Sequence, residues 1–427
     1  MLMVLMGVAN PSQAVEAADE KDEGNPFSLT LKELQHAARR THPGIQFSQL
    51  QQQAALQDVK ATERQRWPQL SATVETHSSA VGSELMQVLR VNQTLWDGGN
   101  LSARIEAARA QEAVSGVNAH LEVQSVDLQL VDAWQKLLMA RERKQIAQAT
   151  LEKLQAYQQQ MERRIQAQAS PLIDLELVNA RALQTEVDLV TAQEVMHVAV
   201  SQLEQLSGLT DLSRRLAHLP PVPSLAQTRH FALMLEQTDW HDVTDAQASV
   251  QRAQHEWEVA QHQFDAKSAE RWPQAYFRVD QPLIKANALF GSTEPKLFLG
   301  MNYTPGAGFA NWVEAEAMET RVQSLAQRIE AVRREVLLTL NNDAESFTSA
   351  RKRLQALEKS VQGSEQVLAS YSRQFQAGRK TWQDVLNALR EQAQSQYNLA
   401  DTSVAMTAAM YRLAVRLNLE PEILPNF

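Results

Sequence analysis

The chain has 427 residues, 44% of them hydrophobic and 21% charged, which is the balance of a folded protein and not of a disordered one. Its formal net charge of −9 argues against the basic surface that non-specific nucleic-acid binding needs. The absence of cysteine excludes disulfides, thiol catalysis, cysteine-ligated zinc and an acylated N-terminal cysteine.

The first residues resemble a secretion signal. MLMVLMGVANPSQAVEA is an apolar stretch followed by small residues, but it lacks the basic segment that normally comes first. We therefore expect a truncated signal peptide over residues 1–18 and a linker over 19–27; the alternative is a disordered or weakly helical tail. No apolar run reaches the roughly 18 residues that a membrane-spanning helix needs.

The rest of the chain consists of two repeats of one sequence pattern. The motif RWPQ at Arg66–Gln69 returns at Arg271–Gln274. Each copy is followed by two alternating segments, a glycine-containing break and a helical run of about 70 residues. We place the first repeat at 28–239, the second at 240–418 and a tail at 419–427.

The first repeat begins with one helix that ends at Trp67–Pro68, because proline pushes the preceding residue out of the helical region. Thr30 and Glu33 fit a capping box at its start. Period-two alternation of polar and apolar residues then predicts strands at about 70–78 and 87–96. The other predicted elements are a long helix at 101–168, a return helix at 172–207 and an irregular segment at 208–239.

The second repeat is predicted to have the same order. Its elements are a helix up to Arg271, strands at about 274–281 and 296–304, a long helix at 309–377 and a return helix at 381–417. The apolar positions of the long helices step by four and three, as in a coiled coil. The two shorter helices of each half sum to about one long helix, so they can lie end to end beside it.

Four half-polar strands are too few for a membrane barrel made by one chain. Open sheet edges cannot exist in a bilayer, and bacterial barrels begin at about eight strands. Two copies give eight strands around a filled interior, whereas three give twelve around a lumen. Polar side chains on the strands suit a wet lumen and favour three copies: Glu75, Arg90, Asn92, Arg278 and Asp280.

The predicted fold class is therefore an α+β membrane protein. It is a trimeric twelve-stranded β-barrel, with four strands from each chain, continued by a long coiled-coil α-helical barrel. Aromatic residues at the strand ends fit the belt at a membrane interface: Trp67, Trp96, Trp272, Tyr276 and Tyr303. For Trp67 and Trp272, ordinary packing at a helix–strand junction is an equally good explanation.

Two motifs resemble the TolC family of outer-membrane channel proteins: QTLWDGGN at Gln93–Asn100 and FQAGRKTWQDVLNA at Phe375–Ala388. The resemblance extends from about Ser28 to Pro421. It implies a homotrimer in the outer membrane of a Gram-negative bacterium, with a helical tunnel that extends into the periplasm and is closed at its tip at rest. It also implies two partners that dock at the tip, a periplasmic adaptor and an inner-membrane transporter, with an ABC transporter favoured.

The resemblance places a gate at the periplasmic tip. Asp384 matches the family's aspartate in D-V-L-x-A, and Asp174 holds the comparable place in the first half. Asn387 stands where a second aspartate is expected, which puts a cation-binding ring at this level in doubt. Arg379 and Lys380 lie where a basic residue is expected to link neighbouring helix pairs. The tip turns contain Ser170, Pro171 and Gly378. Capping of the return helices explains the two aspartates equally well.

The residues favour transport over catalysis. The sequence has no phosphate loop, nucleophile elbow or HExxH motif, and no metal or cofactor is expected. The leading hypothesis is the outer-membrane duct of a type I secretion system, because the tip sequence ASPLIDLELVNARALQTEVDL is similar to family members that secrete adhesins. The alternatives are a drug-efflux channel and, from another class, a soluble periplasmic coiled-coil scaffold.

Overall fold

The computed structural model describes residues 30–79, 82–283 and 294–419, apart from the side chains of 75–86 and 216–218. The expected signal peptide and linker, and residues 420–427 of the tail, lie outside this part. The described chain is mostly helical, with one four-stranded sheet. Within it, no helix combines the length and the hydropathy of a membrane span.

Two helices stand before the first strand, where the sequence predicts one. α1 spans Leu31–Thr41 and α2 spans Pro43–Arg64, with extended backbone at His42 between them. Proline imposes this backbone on the residue before it and is accepted in a helix's own first turn, so the prediction of one continuous helix is wrong. The predicted capping box of α1 is confirmed: the N–H of Glu33 donates to the Thr30 hydroxyl, and the N–H of Thr30 donates to the Glu33 carboxylate.

Two helical hairpins form the length of the molecule. The long helices α3 (Asn100–Gln166) and α8 (Ala310–Gln376) have 67 residues each, or about 100 Å at 1.5 Å per residue. α3 packs along its return helix α4 (Leu172–Ser207), and α8 packs along α9 (Trp382–Arg416). Each hairpin turns through a residue with left-handed backbone, Gln168 or Gly378.

The segment predicted as irregular contains a 3₁₀ helix at Leu212–His218 and the short helix α5 at Arg229–Glu236. α6 (Trp240–Asp245) and α7 (Ala248–Ala269) follow. α5 contributes Phe231 to the largest cluster of buried apolar residues, where its ring meets that of Phe347 at 5.2 Å, edge to face. This cluster also holds Trp134 and Tyr411, so it joins the middle of both hairpins.

The four strands form one antiparallel sheet in sequence order. They are β1 (Gln69–Ser79), β2 (Gly82–Trp96), β3 (Gln274–Pro282) and β4 (Lys296–Asn302). The central pair β2–β3 joins the two repeats. β1 and β4 are therefore the edges of the sheet, and each has a strand neighbour on one side only among the described residues.

The helices continue this order below the sheet. Next to the strands the order is α2, α3, α7 and α8; farther away it is α4, α3, α9 and α8. α7 and α9 both lie between the two long helices. Sheet and helices therefore form one wall with two free sides, one carrying β1, α2 and α4 and the other carrying β4 and α8.

Candidate functional site

Polar side chains meet on one face of the sheet. Arg90 pairs with Asp280 across β2 and β3, and Asn92 pairs with Arg278, so the four share a face. Arg90 Nε donates to Asp280 Oδ1 at 2.9 Å, and Arg278 Nε lies 3.4 Å from Asp280 Oδ2. The side chain of Glu75, the fifth residue predicted to line a lumen, lies outside the described part of the chain. The structure thus brings together the residues proposed to line a lumen.

The opposite face of the sheet is apolar and exposed. Leu299 is 78% exposed, although it stands in the middle of a strand. The other large exposed apolar residues on this face are Leu70, Val74, Phe277, Leu297 and Met301. A contiguous apolar face of this size on one chain is covered by lipid or by another surface. One polar face and one apolar face are the two faces of a barrel wall in a membrane.

The free sides of the helical wall are apolar as well. On α4 a stripe of exposed apolar residues lies on the side of the helix opposite the buried residues that face α3: Leu172, Leu183, Val187, Val190 and Val198. We call these five residues the α4 stripe. The same side of the wall exposes Phe47, Leu50 and Leu56 of α2. The other side exposes Trp312, Val313, Leu338 and Val367 of α8. Exposed apolar residues on one side of a long helix form a surface on which another helix can pack.

The predicted gate residues all lie at the hairpin tips, but they differ in their contacts. The Thr381 hydroxyl and N–H donate to Asp384 at 2.8 and 3.1 Å, and these bonds lower the pKa of Asp384. Asp174 lies in the first turn of α4, and the residue before that helix, Pro171, makes no side-chain cap bond. Lys380 lies 4.0 Å from Asp384 and 4.2 Å from the ring centre of Tyr371, both in its own chain. Arg379 and Asn387 are exposed.

An aromatic cluster at the tip was missed by sequence reasoning. Trp382, the first residue of α9, is 3% exposed and meets the Tyr157 ring of α3 edge to face at 5.1 Å. The ring of Phe375 lies 5.0 Å from that of Trp382, and the Arg164 guanidinium stacks over Phe375 at 4.7 Å. Arg164 also donates to the Ser170 hydroxyl at 3.0 Å. We call Tyr157, Arg164, Phe375 and Trp382 the tip lock, because they hold the two hairpins of one chain together.

No group of metal-ligating side chains occurs among the described residues. The cavities between helices are lined by mixed polar and apolar residues; one of them, of about 700 Å³, lies between α1, α3, α7 and the end of α9. Its most buried polar group is Asp127, which bonds Arg39 at 2.8 Å. Burial raises the pKa of Asp127 in spite of that bond. This arrangement is a structural ion pair of the wall.

Known proteins identify the fold. Residues 34–209 match the family model described as outer membrane efflux protein, whereas no curated protein sequence matches the chain significantly. The outer-membrane channel OprN has 16% identity and a TM-score of 0.79, over 91% of this chain and 90% of that one. The outer membrane protein VceC of Vibrio cholerae has 17% identity and a TM-score of 0.76, over 91% and 95% of the chains.

A third solved structure is the open state of the MtrE outer-membrane channel of Neisseria gonorrhoeae. It has 15% identity and a TM-score of 0.73, over 91% of this chain and 89% of that one. At these identities the likeness establishes the fold. The fold predicted for one chain is confirmed: long helical hairpins and a small antiparallel sheet, in two repeats, over nearly the whole chain.

Proposed function

We propose that this chain, an outer-membrane channel by its match to the outer membrane efflux protein family and by its fold, is one third of a trimeric export duct that crosses the outer membrane and extends into the periplasm. The family-model match over residues 34–209 and the shared fold support the resemblance to the TolC family, and with it a transport protein instead of an enzyme. The duct would work with a periplasmic adaptor and an inner-membrane transporter, which supply the substrate and open the tip.

The observation that carries this proposal is the open wall. Its sheet has one polar and one apolar face, and its two free sides are different surfaces, β1 with α2 and α4 against β4 with α8. Different surfaces that meet head to tail generate a ring when the rotation closes. Three copies give twelve strands, which is enough for a lumen lined by Arg90 and Asp280. A single soluble chain would leave both free sides and the apolar face in water.

Cell fractionation tests the duct. We expect the protein in the outer-membrane fraction, as a trimer that resists denaturing detergent at room temperature and dissociates on heating. A monomer that stays in the soluble periplasmic fraction would refute the duct and support the scaffold alternative.

For the substrate we propose protein secretion of type I, driven by an ABC transporter. The tip sequence from Ala169 to Leu189 supports it, through its similarity to family members that secrete adhesins. Small-molecule efflux is the second candidate, favoured by the description of the matching family model as an efflux protein. Deletion of the gene separates the two. Loss of a large protein from the culture medium supports secretion, and greater sensitivity to toxic compounds with an unchanged medium supports efflux.

We expect Asp384→Ala to raise the single-channel conductance in planar bilayers, because it removes a carboxylate from the tip. Arg379 and Lys380 changed together to alanine should do the same, since the exposed charge links they are proposed to make with neighbouring helices are weak. Thr381→Ala is the matched control, because it removes the capping hydroxyl and keeps the carboxylate. Equal conductance of Asp384→Ala and Thr381→Ala would reduce Asp384 to a helix cap.

The direction of the pKa shift of Asp384 determines how the cap of α9, formed by Thr381 and Asp384, depends on pH. The Thr381 bonds lower the pKa of Asp384 in the folded chain. The ionised carboxylate of Asp384 therefore contributes its full stability to the folded chain above the ordinary pKa of an aspartate. This contribution is lost as the pH falls through the lower pKa that Asp384 has in the folded chain. We expect the tip conductance to stay constant between pH 7 and pH 5 as far as Asp384 determines it. A rise over that interval would assign the change to another group.

Arg90→Gln is expected to make the pore more selective for cations. Each trimer loses three positive charges from the polar face, while Asp280 keeps only its longer contact with Arg278. The reversal potential in a salt gradient measures this change. Arg214→Gln removes the same charge from the exposed 3₁₀ segment and should leave the reversal potential unchanged. Equal potentials for both variants would place Arg90 outside the conduction path.

A further inference from the structure

The cavity of about 700 Å³ between α1, α3, α7 and the end of α9 has the size of pockets that hold small organic molecules. Two short helices line it as well, α5 through Met234 and α6 through Val243. At Asp127 the cavity lies about 60 Å from the hairpin tip, at about 1.5 Å per residue of α3. It is therefore separate from the predicted gate and from the polar face of the sheet.

One part of the lining is polar, deeply buried and incompletely hydrogen-bonded. Gln35 of α1 is 5% exposed and makes no side-chain hydrogen bond with another described residue. Asp127 of α3 is 3% exposed; Arg39 donates to its Oδ2, whereas Oδ1 is buried and has no hydrogen-bond partner in the described chain. A buried amide or carboxylate oxygen without a donor costs free energy. A ligand that supplies the donor recovers that free energy on binding.

The charges around the cavity favour a cation as that ligand. Both arginines of the lining are already paired, Arg39 with Asp127 and Arg416 with Asp343 at 2.9 Å. The Arg39 side chain is 50% exposed, and burial raises the pKa of Asp127 although Arg39 is bonded to it, so this one guanidinium does not offset the desolvation of the carboxylate. The last turn of α9, the negative end of that helix, lies at the same cavity.

The other part of the lining is apolar and comes from four helices. Its larger side chains are half-buried: Val117, Val123, Met234, Val243, Val415 and Leu417. Apolar walls with a few polar groups that fix the orientation are typical of sites for organic ligands. A metal ion does not fit, because the described residues contain no group of metal-ligating side chains. The cation that the cavity accepts therefore needs an apolar body.

We propose that this cavity binds a small organic amine in its protonated form. The ammonium group donates to Gln35 Oε1 and to Asp127 Oδ1, and the apolar body of the amine packs against the valine, methionine and leucine side chains of the lining. Arg39 stays bonded to Asp127 Oδ2, so that the carboxylate lies between two cations. The site belongs to one chain, so binding can be measured whether or not the proposed duct forms.

The competing ligand is an anion, because the start of α7 also lines the cavity and has no side-chain cap. Three probes with the same ring and different heads separate the possibilities: phenethylamine, phenethyl alcohol and hydrocinnamate. Calorimetric titration of the purified full-length chain in detergent measures their dissociation constants. We expect the amine to bind about tenfold more tightly than the alcohol, since its hydrogen bonds are charge-assisted, and the anion to bind most weakly.

Two variants place the amine in this cavity. Asp127→Asn keeps the shape of the side chain and an acceptor for Arg39, and it should reduce the affinity for the amine to that for the alcohol. Gln35→Leu keeps the size of the side chain and should weaken amine binding several-fold. Asp401→Asn is the matched control, because it changes an aspartate that Arg143 bonds at 2.6 Å, between the same two long-range partners α3 and α9 but outside the cavity.

The amine should also raise the unfolding temperature of the parent chain and of Asp401→Asn, since a ligand that binds only the folded state stabilises it. Three results would overturn the site: no binding of any probe, binding of the alcohol or the anion as tight as that of the amine, or the same amine affinity in Gln35→Leu as in the parent. The last comparison removes no charge, so it decides the matter even if Asp127→Asn does not fold. An equal loss in Asp127→Asn and Asp401→Asn would likewise contradict the proposal.

Discussion

Replacing Trp382 with alanine is expected to open the periplasmic tip and to raise the conductance of the purified trimer several-fold in planar bilayers. The side chain is 3% exposed and is the centre of the tip lock, in contact with Tyr157 of one hairpin and Phe375 of the other. Removal of a buried tryptophan leaves a cavity and costs about 3–5 kcal/mol. That cost falls on the contact between the hairpins, because α9 is otherwise held by a long seam on α8.

Two controls separate the lock from general destabilisation. Trp272→Ala removes an exposed tryptophan at the far end of the long helices, about 100 Å from the tip, and should leave the conductance unchanged. Tyr157→Phe removes only the hydroxyl that meets Ser372 at 3.3 Å and keeps the ring pair, so we expect at most a small rise. An unchanged conductance of Trp382→Ala, with the trimer intact, would show that the two hairpins of a chain do not separate when the tip opens.

The tip lock also shows which kind of contact cannot be predicted from the sequence. The turn motifs placed Asp384, Gly378 and Pro171 at the tip, because helix starts and chain reversals are local properties of the sequence. The contact of Trp382 with Tyr157 joins residues more than 200 positions apart. No local pattern specifies it, since the same tryptophan at a helix start also fits an exposed position. One feature of the sequence could have indicated the contact: Trp382 is a bulky aromatic residue directly after the turn, where the other repeat has Leu172.

The helices and strands of the wall could be predicted from the sequence because each pattern that indicates them occurs twice. Two RWPQ motifs, two alternating strand pairs and two long proline-free runs agree with one another, and the four strands and the two hairpins follow from them. The sheet register was not predictable in detail, although alternation alone put Arg90 and Asp280 on polar faces. The break at His42–Pro43 was missed because the apolar spacing continues across it. Proline at a helix start is compatible with either interpretation.

The amount of buried apolar surface that joins the two hairpins differs along the wall, and this difference affects where the hairpins can separate. In the middle, the large core cluster joins both hairpins through residues such as Trp134 and Tyr411. Toward the tip a smaller core remains, formed around Trp382, Val385 and Leu154. Regions with less buried apolar surface open at lower free energy. We therefore expect the tip to be the part of the proposed duct that opens at the lowest free energy.

Charged residues in the α4 stripe are expected to abolish the trimer. Leu183→Asp with Val187→Asp changes two positions that are 63% and 57% exposed in the single chain, so the single chain should keep its helices. In the ring, the same positions would be buried against α8 of the partner subunit. An unpaired carboxylate at a buried site costs several kcal/mol, and each trimer contains six of them. We expect a detergent-solubilised monomer with unchanged helical circular dichroism.

The matched control is Leu177→Asp with Val195→Asp. It replaces the same two residue types on the same helix, at exposed positions outside the α4 stripe. The control should form a trimer that migrates like the parent on a semi-native gel, because its carboxylates stay in water. If both variants dissociate, added charge on α4 acts through the stability of the helix itself. If neither does, α4 is not the surface that meets α8 of the next subunit, and the wall closes in another register.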